Sequence, residues 1–352
     1  CAIVFADSRL DTSWIANPCS VIEHKTETLI MRKLLSRLAV LLIGVWSAVA
    51  LSQNYPSKVI TLVAPYPPGG GTDVMARIIA TKLVAQLGGT VIVENKPGAN
   101  GNIGTASVAK ASPDGYTLLL ATTGSHVLNQ FLYKSTGFDP IGDFSPVALI
   151  GSTDLVLVVN RNLPVRSAKE LVEFAKANPS KINFASAGNG SIPHLTIAML
   201  ESAANVKVTH LPYKGANAAI TDLIGGQVDA YFATLPSAIG AIKAGKLIAL
   251  ATTGTKRSTL LDNLPTLQES GFPTVSSDIW FGIAAPAKTP AAIVERLASA
   301  LRTWLSSPDA VKQLAELGVE VRFQGAGEFA GVLLSDLSKW KGIVQNTGAK
   351  LD

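Results

Sequence analysis

Two glycine-rich turns are the places where this chain could do chemistry. Pro67-Pro68-Gly69-Gly70-Gly71-Thr72-Asp73 and Ser186-Ala187-Gly188-Asn189-Gly190-Ser191 each follow an apolar strand-like run and lead into a helical pattern. Glycine lets backbone N–H groups approach a ligand closely, and the helix that follows turns its positive end to the same point. A third strand end, Thr122-Thr123-Gly124-Ser125-His126, adds hydroxyls. Neutral donors of this kind suit a carboxylate. One such turn would be an ordinary strand-to-helix connection of any α/β protein. Three at strand ends, in two successive series, point to a cleft, because ligands of open α/β sheets sit at the carboxyl ends of strands. Asp73 has two readings: it caps its own helix by accepting backbone N–H bonds, or it faces the cleft and meets a ligand ammonium or hydroxyl.

Other chemistries fail on spacing. Gly98, Gly101 and Gly104 do not form the G-x-G-x-x-G of a dinucleotide site, and no acid follows at the required distance. Neither a phosphate-binding G-x-x-x-x-G-K-[ST] nor the G-x-S-x-G nucleophile elbow occurs. Both cysteines, Cys1 and Cys19, precede the first strand. His126, His194 and His210 are not spaced as a metal-ligand set. His210 follows a strand and reads as structural, while His194, in the first turn after the second glycine loop, fits a ligand contact or a cap equally well. No catalytic residue, cofactor or metal is assigned.

The elements that must position these turns alternate along the chain. Strands are expected at residues 59–64, 90–94, 116–121, 146–150, 155–159, 182–185, 206–211, 230–233, 247–252 and 279–286. Helices are expected at 72–87, through Lys110, and at 168–177, 193–203, 216–224, 238–244, 291–306, 309–317 and 328–346. This alternation indicates α/β architecture with βα units of a doubly wound sheet. The series that begins near residue 168 repeats the grammar of the first, so two lobes are expected rather than one large sheet. Chain crossings near Asp154 and Ile279 would assign residues 53–154 and 280–352 to lobe 1 and 155–279 to lobe 2, with two crossing strands as a hinge.

The N-terminal residues read differently. In residues 31–52, Arg32, Lys33 and Arg37 precede a short apolar run and then small residues at Ala48-Val49-Ala50, the pattern of a cleaved export signal. Residues 1–30 lie upstream of Met31 and are expected to be a non-native start. Setting residues 1–52 aside removes five bases and four acids from a chain of net charge +5 and leaves +4 over 300 residues. That charge is mild and scattered, with no basic stripe for nucleic acid. No later apolar run reaches spanning length.

Several blocks match a known family in order. Tyr66-Pro67-Pro68-Gly69-Gly70-Gly71-Thr72-Asp73 is similar to the PPGGxxD segment of the substrate-binding proteins of tripartite tricarboxylate transporters, the Bug family. Val93-Glu94-Asn95-Lys96-Pro97-Gly98-Ala99-Asn100-Gly101-Asn102-Ile103-Gly104 resembles its VENRPGAGGNIG block, with Asn100 where the family often has glycine. Ser112-Pro113-Asp114-Gly115-Tyr116, the segment 186–194, Leu211-Pro212-Tyr213-Lys214-Gly215 and the segment 281–290 complete the resemblance. It implies a two-lobed type II periplasmic binding fold, a mixed sheet in each lobe, and a small carboxylate held between the lobes by neutral groups and water. Carried over by position, the contacts would be Gly70, Gly71, Thr72, Asp73, Thr123 and Ser125 on lobe 1. On lobe 2 they would be Ala187, Gly188, Asn189, Gly190, His194 and Lys214. The resemblance further implies integral membrane transporter subunits as partners, and a periplasmic monomer without catalysis and without a nucleic-acid partner is expected. A periplasmic enzyme or sensor acting on a carboxylate is the competing reading.

Overall fold

A computed structural model describes residues 55–347. The expectations for the export signal and the upstream start lie outside these residues.

The first lobe begins with β1 (Ile60–Ala64), α1 (Gly71–Leu87), β2 (Val91–Asn95), α2 (Asn102–Ala109) and β3 (Thr117–Thr122). β1 pairs in parallel with both β2 and β3. Ile60, Leu62 and Ala64 pack with α1 in one core, while Val63, on the other face, joins a second core with Leu119. Both faces are covered, so these strands read as nearly continuous apolar runs rather than as alternating ones. After β3 the backbone makes a π turn (Thr123–Leu128) and a short α3 (Asn129–Leu132). Sequence periodicity gives no sign of either.

β4 (Phe144–Asn160) is the strand that joins the lobes. Its first part pairs antiparallel with β9 (Asp278–Pro286), from Phe144 opposite Pro286 to Asp154 opposite Asp278. From Leu155 onward it pairs with β7 (Ala230–Thr234), and from Val156 with β8 (Leu247–Thr252). The second lobe adds α4 (Ala168–Ala177), β5 (Asn183–Ser186), α5 (Ile192–Ala204), β6 (Thr209–Pro212), α6 (Ala216–Gly225) and α7 (Leu235–Lys243). The chain then returns through β9 to the first lobe and closes with α8 (Ala291–Leu305), α9 (Pro308–Ala315), β10 (Val319–Gly325) and α10 (Ala326–Thr347). The strand order is β2-β1-β3-β9-β4-β7-β5-β6, with β8 and β10 also on β4. The two-lobed α/β architecture expected from the sequence is present, a mixed sheet in each lobe.

The apolar runs 146–150 and 155–159, separated in sequence by Gly151-Ser152-Thr153-Asp154, belong to one strand. Gly151 lies inside one continuous strand, and a Cβ there would collide with the carbonyl oxygen of Glu320 on β10. The glycine admits a neighbouring strand; it does not break its own.

Candidate ligand-binding site

Four helices begin at one cavity of about 70 Å³, α5 capped by Ser191 and three others without a side-chain cap. α1 starts after Gly70, α6 after Gly215 and α7 after Thr234, and none of these positions supplies a side-chain cap to its helix. The first N–H groups of a helix have no partner within it, so the missing caps leave donors available. Gly70, Gly71, Thr72, Gly215, Ala216 and Thr234 line the cavity. Gly215 adopts φ 111°, which a side chain would resist. No charged side chain is among the lining residues, and the remaining wall is largely apolar, with Tyr66, Ala187, Ile192, Pro193, Tyr231 and Ile279.

Asp73 is buried and holds the first glycine loop from behind. Its Oδ2 accepts from the Gly69 amide at 2.8 Å and from Arg77 Nε at 3.0 Å, and its Oδ1 accepts from Asn95 Nδ2 at 3.0 Å. Asn95 Nδ2 also donates to the Tyr66 carbonyl at 3.1 Å. Burial opposes ionisation of Asp73. The hydrogen bonds from Arg77, Gly69 and Asn95 outweigh it, with the Arg77 charge, and hold the carboxyl below its ordinary value. Asp73 accepts a backbone N–H as the capping reading expects, but from Gly69, ahead of the helix, rather than from the helix itself.

The third strand end is also built inward. Thr122 Oγ1 accepts from the Ser125 amide at 3.3 Å and lies 3.1 Å from Ser125 Oγ. Thr123 Oγ1 accepts from the Trp280 amide at 3.1 Å, tying the turn to β9. Thr123 and Ser125 are buried; Thr122 and Gly124 line the cavity instead. Burial pushes the Tyr66 phenol up to about 12, against hydrogen bonds from Thr122 and Ser125, so it remains a neutral hydroxyl at the cavity wall.

In the second glycine loop, Gly188 and Gly190 have φ of 135° and 72°. Ser191 caps α5 by accepting from the His194 amide at 3.4 Å and donates to the Gly188 carbonyl at 2.7 Å. The Gly190 amide donates to His194 Nδ1 at 3.0 Å. That imidazole stacks on His210, ring centroids 4.0 Å apart and planes 10° from parallel. His210 Nε2 lies 2.7 Å from Ser186 Oγ. Burial lowers the pKa of His194, partly offset by Glu201, and burial with His194 nearby brings His210 down to about 4. The pair is therefore neutral and fixes the loop.

Of the sequence-expected residues, Gly70, Gly71, Thr72 and Ala187 line the cavity. Asp73, Thr123, Ser125, Gly190 and His194 lie behind it in the hydrogen bonds just described, and Gly188 accepts the Ser191 bond. Asn189 and Lys214 are exposed and are not among the lining residues. Tyr66 and Asn100 line it and were not expected to. Tyr66 sits in the same sequence block as the first glycine loop, a signal that could have found it. Thr234 carries no such signal.

The rims of the lobes touch. Asn217 Nδ2 donates to the Pro68 carbonyl at 3.2 Å, and Asn100 Nδ2 donates to the Gly190 carbonyl at 3.0 Å. Among the described residues, no group of three or more His, Cys, Asp or Glu side chains could hold a metal ion, and no helix is long and apolar enough to cross a membrane.

Residues 75–349 match the family described as "Tripartite tricarboxylate transporter family receptor". The chain is similar to Rpa4515 of Rhodopseudomonas palustris, solved with adipate. The two share 33% identity at a TM-score of 0.82, over 84% of this chain and all of that one. The periplasmic binding protein BugD is 36% identical, with a TM-score of 0.80 over 84% of this chain and all of BugD. MatC of Rhodopseudomonas palustris, solved with bound malate, is 30% identical. Its TM-score is 0.77, over 82% of this chain and all of MatC.

Proposed function

This chain belongs to the tripartite tricarboxylate transporter receptor family, and from that premise we propose that it captures a small carboxylate in the cavity between its lobes and releases it unchanged to membrane transporter subunits. One observation carries the reading: three uncapped helix N-termini, from both lobes, meet at a cavity lined by no charged side chain. Such a site attracts an anion through backbone dipoles and amide donors. The adipate and malate in two similar structures support the carboxylate class.

Closure supplies most of the binding energy. A helix terminus contributes about 0.3–1 kcal/mol, or up to about 2 when partly buried, whereas micromolar affinity needs about 8 kcal/mol. The remainder comes from hydrogen bonds made out of water, once residues 155–279 swing onto residues 53–154 and 280–352. The ligand contacts both lobes only in that state and so selects it. The amides around Gly70, Gly71 and Thr72, those of Ala187 and Asn189, and the starts of α6 and α7 act as donors. Asp73, Thr123, Ser125, Gly188, Gly190 and His194 act by holding them in place. The protein works in the periplasm, as the export-type N-terminal pattern and the similarity to BugD support.

A thermal-shift screen tests the proposal, using C4–C6 dicarboxylates, citrate, aromatic acids and acidic amino acids. A ligand at 100 times its Kd adds about 2.7 kcal/mol to stability, a readily measured shift. A melting temperature unmoved by every acid refutes the carboxylate assignment. Chemical turnover of any of them refutes the non-catalytic one.

A further inference from the structure

We propose that Asn100 is a latch, a lobe 1 side chain that fastens the closed cleft by hydrogen-bonding the second glycine loop; the inference rests on the solute-capture reading above. Asn100 Nδ2 donates to two acceptors, Asn129 Oδ1 at 2.8 Å and the Gly190 carbonyl at 3.0 Å. Asn129 Nδ2 donates in turn to the Asn100 carbonyl at 2.9 Å and to Asn102 Oδ1 at 2.7 Å.

Backbone chemistry fixes the orientation of both amides. A carbonyl oxygen can only accept, so Gly190 requires the nitrogen of Asn100 to face it, and the Asn100 carbonyl requires the nitrogen of Asn129. The oxygen of Asn129 is thereby turned toward Asn100. Asn129 is fully buried and Asn102 nearly so, which gives the Asn100 amide a rigid support before it reaches lobe 2. The Asn100 backbone, at φ 50° and ψ 34°, is left-handed. Asparagine enters that region more readily than other residues with side chains. A glycine would accept the backbone and supply no latch.

On the lobe 2 side the receiving peptide is held as well. The Ser191 amide, in the same peptide group as the Gly190 carbonyl, donates to the Gly188 carbonyl at 3.2 Å, and the preceding Gly190 amide is bound to His194 Nδ1, whose ring stacks on His210. The bond therefore joins two preorganised parts, and little side-chain freedom is lost when it forms. Asn217 makes the other rim contact, to Pro68, but from an exposed position. It competes with water and is the weaker of the two.

Asn100→Gly tests the latch, because φ 50° suits glycine. The described residues contain no cysteine, so spin labels at Gln86→Cys on lobe 1 and Lys176→Cys on lobe 2, both exposed, report lobe separation by pulsed electron resonance. Asn100→Gly is expected to shift the unliganded distribution toward longer distances. It should also raise the Kd of a carboxylate found by the screen by about 3- to 10-fold, the worth of one net hydrogen bond. Asn100→Asp, which sets an acceptor against the Gly190 carbonyl and Asn129 Oδ1, should do at least as much, and Asn217→Ala less. Unchanged distances and Kd in Asn100→Gly overturn the latch while leaving solute capture standing. If no carboxylate binds the wild type but Asn100→Gly still lengthens the distances, the latch stands and the capture reading falls.

Discussion

Replacing Gly71 by alanine should weaken binding without harming the fold. Gly71 opens α1 with ordinary helical geometry, so the backbone accepts a side chain. A Cβ built there would lie 2.7 Å from Thr234 Oγ1, 3.6 Å from Thr234 Cβ and 3.7 Å from Pro236 Cβ, all on lobe 2. Contacts below 3.4 Å are already tight for a Cβ, so Thr234 must retreat by several tenths of an ångström. It is not free to do so by rotation alone, because its hydroxyl donates to Ser237 Oγ at 2.9 Å. Overpacking of this kind costs about 1–3 kcal/mol, and only when the lobes are shut. The closing equilibrium, and with it the affinity, should fall by roughly 5- to 150-fold. In the open form alanine is the better helix former, by up to about 1 kcal/mol. The unliganded melting temperature should therefore hold or rise while calorimetric Kd worsens for every ligand. Wild-type affinity in Gly71→Ala would show that this glycine does not face lobe 2 in the ligand-bound state, and the closure argument would fail.

Asp73→Asn should destabilise the protein by about 1–3 kcal/mol, read from urea denaturation. Gly69, Arg77 and Asn95 all donate to the carboxylate, so an amide nitrogen must face a donor whichever way it turns; an unchanged midpoint would contradict this. The contribution of His126 should fall between pH 6.5 and 4, while Asp154, raised to about 6 by burial with Asp278 and Glu320 nearby, acts in the opposite direction in the same window. Burial brings buried His126 down to about 4 from 6.5, against a bond to the Pro140 carbonyl, so the unfolded chain binds more protons in that window. The His126 contribution, about 3 kcal/mol, is then full above pH 6.5, declines as the pH falls, and is lost below about 4. His194 and His210 shift in the same direction. Urea midpoints of His126→Leu across pH 7.5 to 4 should decline less steeply than those of the wild type; parallel profiles would reject the assignment.

Elements whose apolar period was long and uninterrupted were legible in the sequence, and those shaped by a tertiary neighbour were not. α4 occupies the expected residues 168–177, where Ser167 caps it and its apolar stripe is clear. β8 likewise occupies the expected residues 247–252. β10 was missed although Val319, Val321 and Phe323 alternate with Glu320 and Arg322, a pattern that ordinarily marks a half-buried strand. α7 starts at Leu235, three residues before expectation, with Pro236 in its first turn, a position proline favours. Within the site, glycine content located both loops, because close backbone approach requires it. The direction in which Asp73, Thr123 and Ser125 turn depends on Asn95, Trp280 and Thr122, partners that periodicity does not reveal. The Asn100 bond spans 90 residues of sequence; no local pattern encodes it.

The energetics separate two classes of residue around this cavity. Three helix ends at up to about 2 kcal/mol each fall short of what micromolar binding requires, so the contacts that exclude water from the site carry the difference. Gly71, Asn100, Asn217 and Thr234 form or adjoin those contacts between the lobes. Changes at Asn100, Asn217 or Gly71 act on the closing equilibrium, a term shared by every ligand, and should scale all affinities by one factor. Ala187, Tyr231 and Ile279 share the cavity wall with Gly71, Asn100 and Thr234 but make none of these contacts between the lobes, and they meet the body of whichever acid occupies it. Substitutions there should re-rank the acids. A ratio of Kd values for two carboxylates that is constant across the first group and variable across the second follows from the geometry; the reverse would place selectivity in closure.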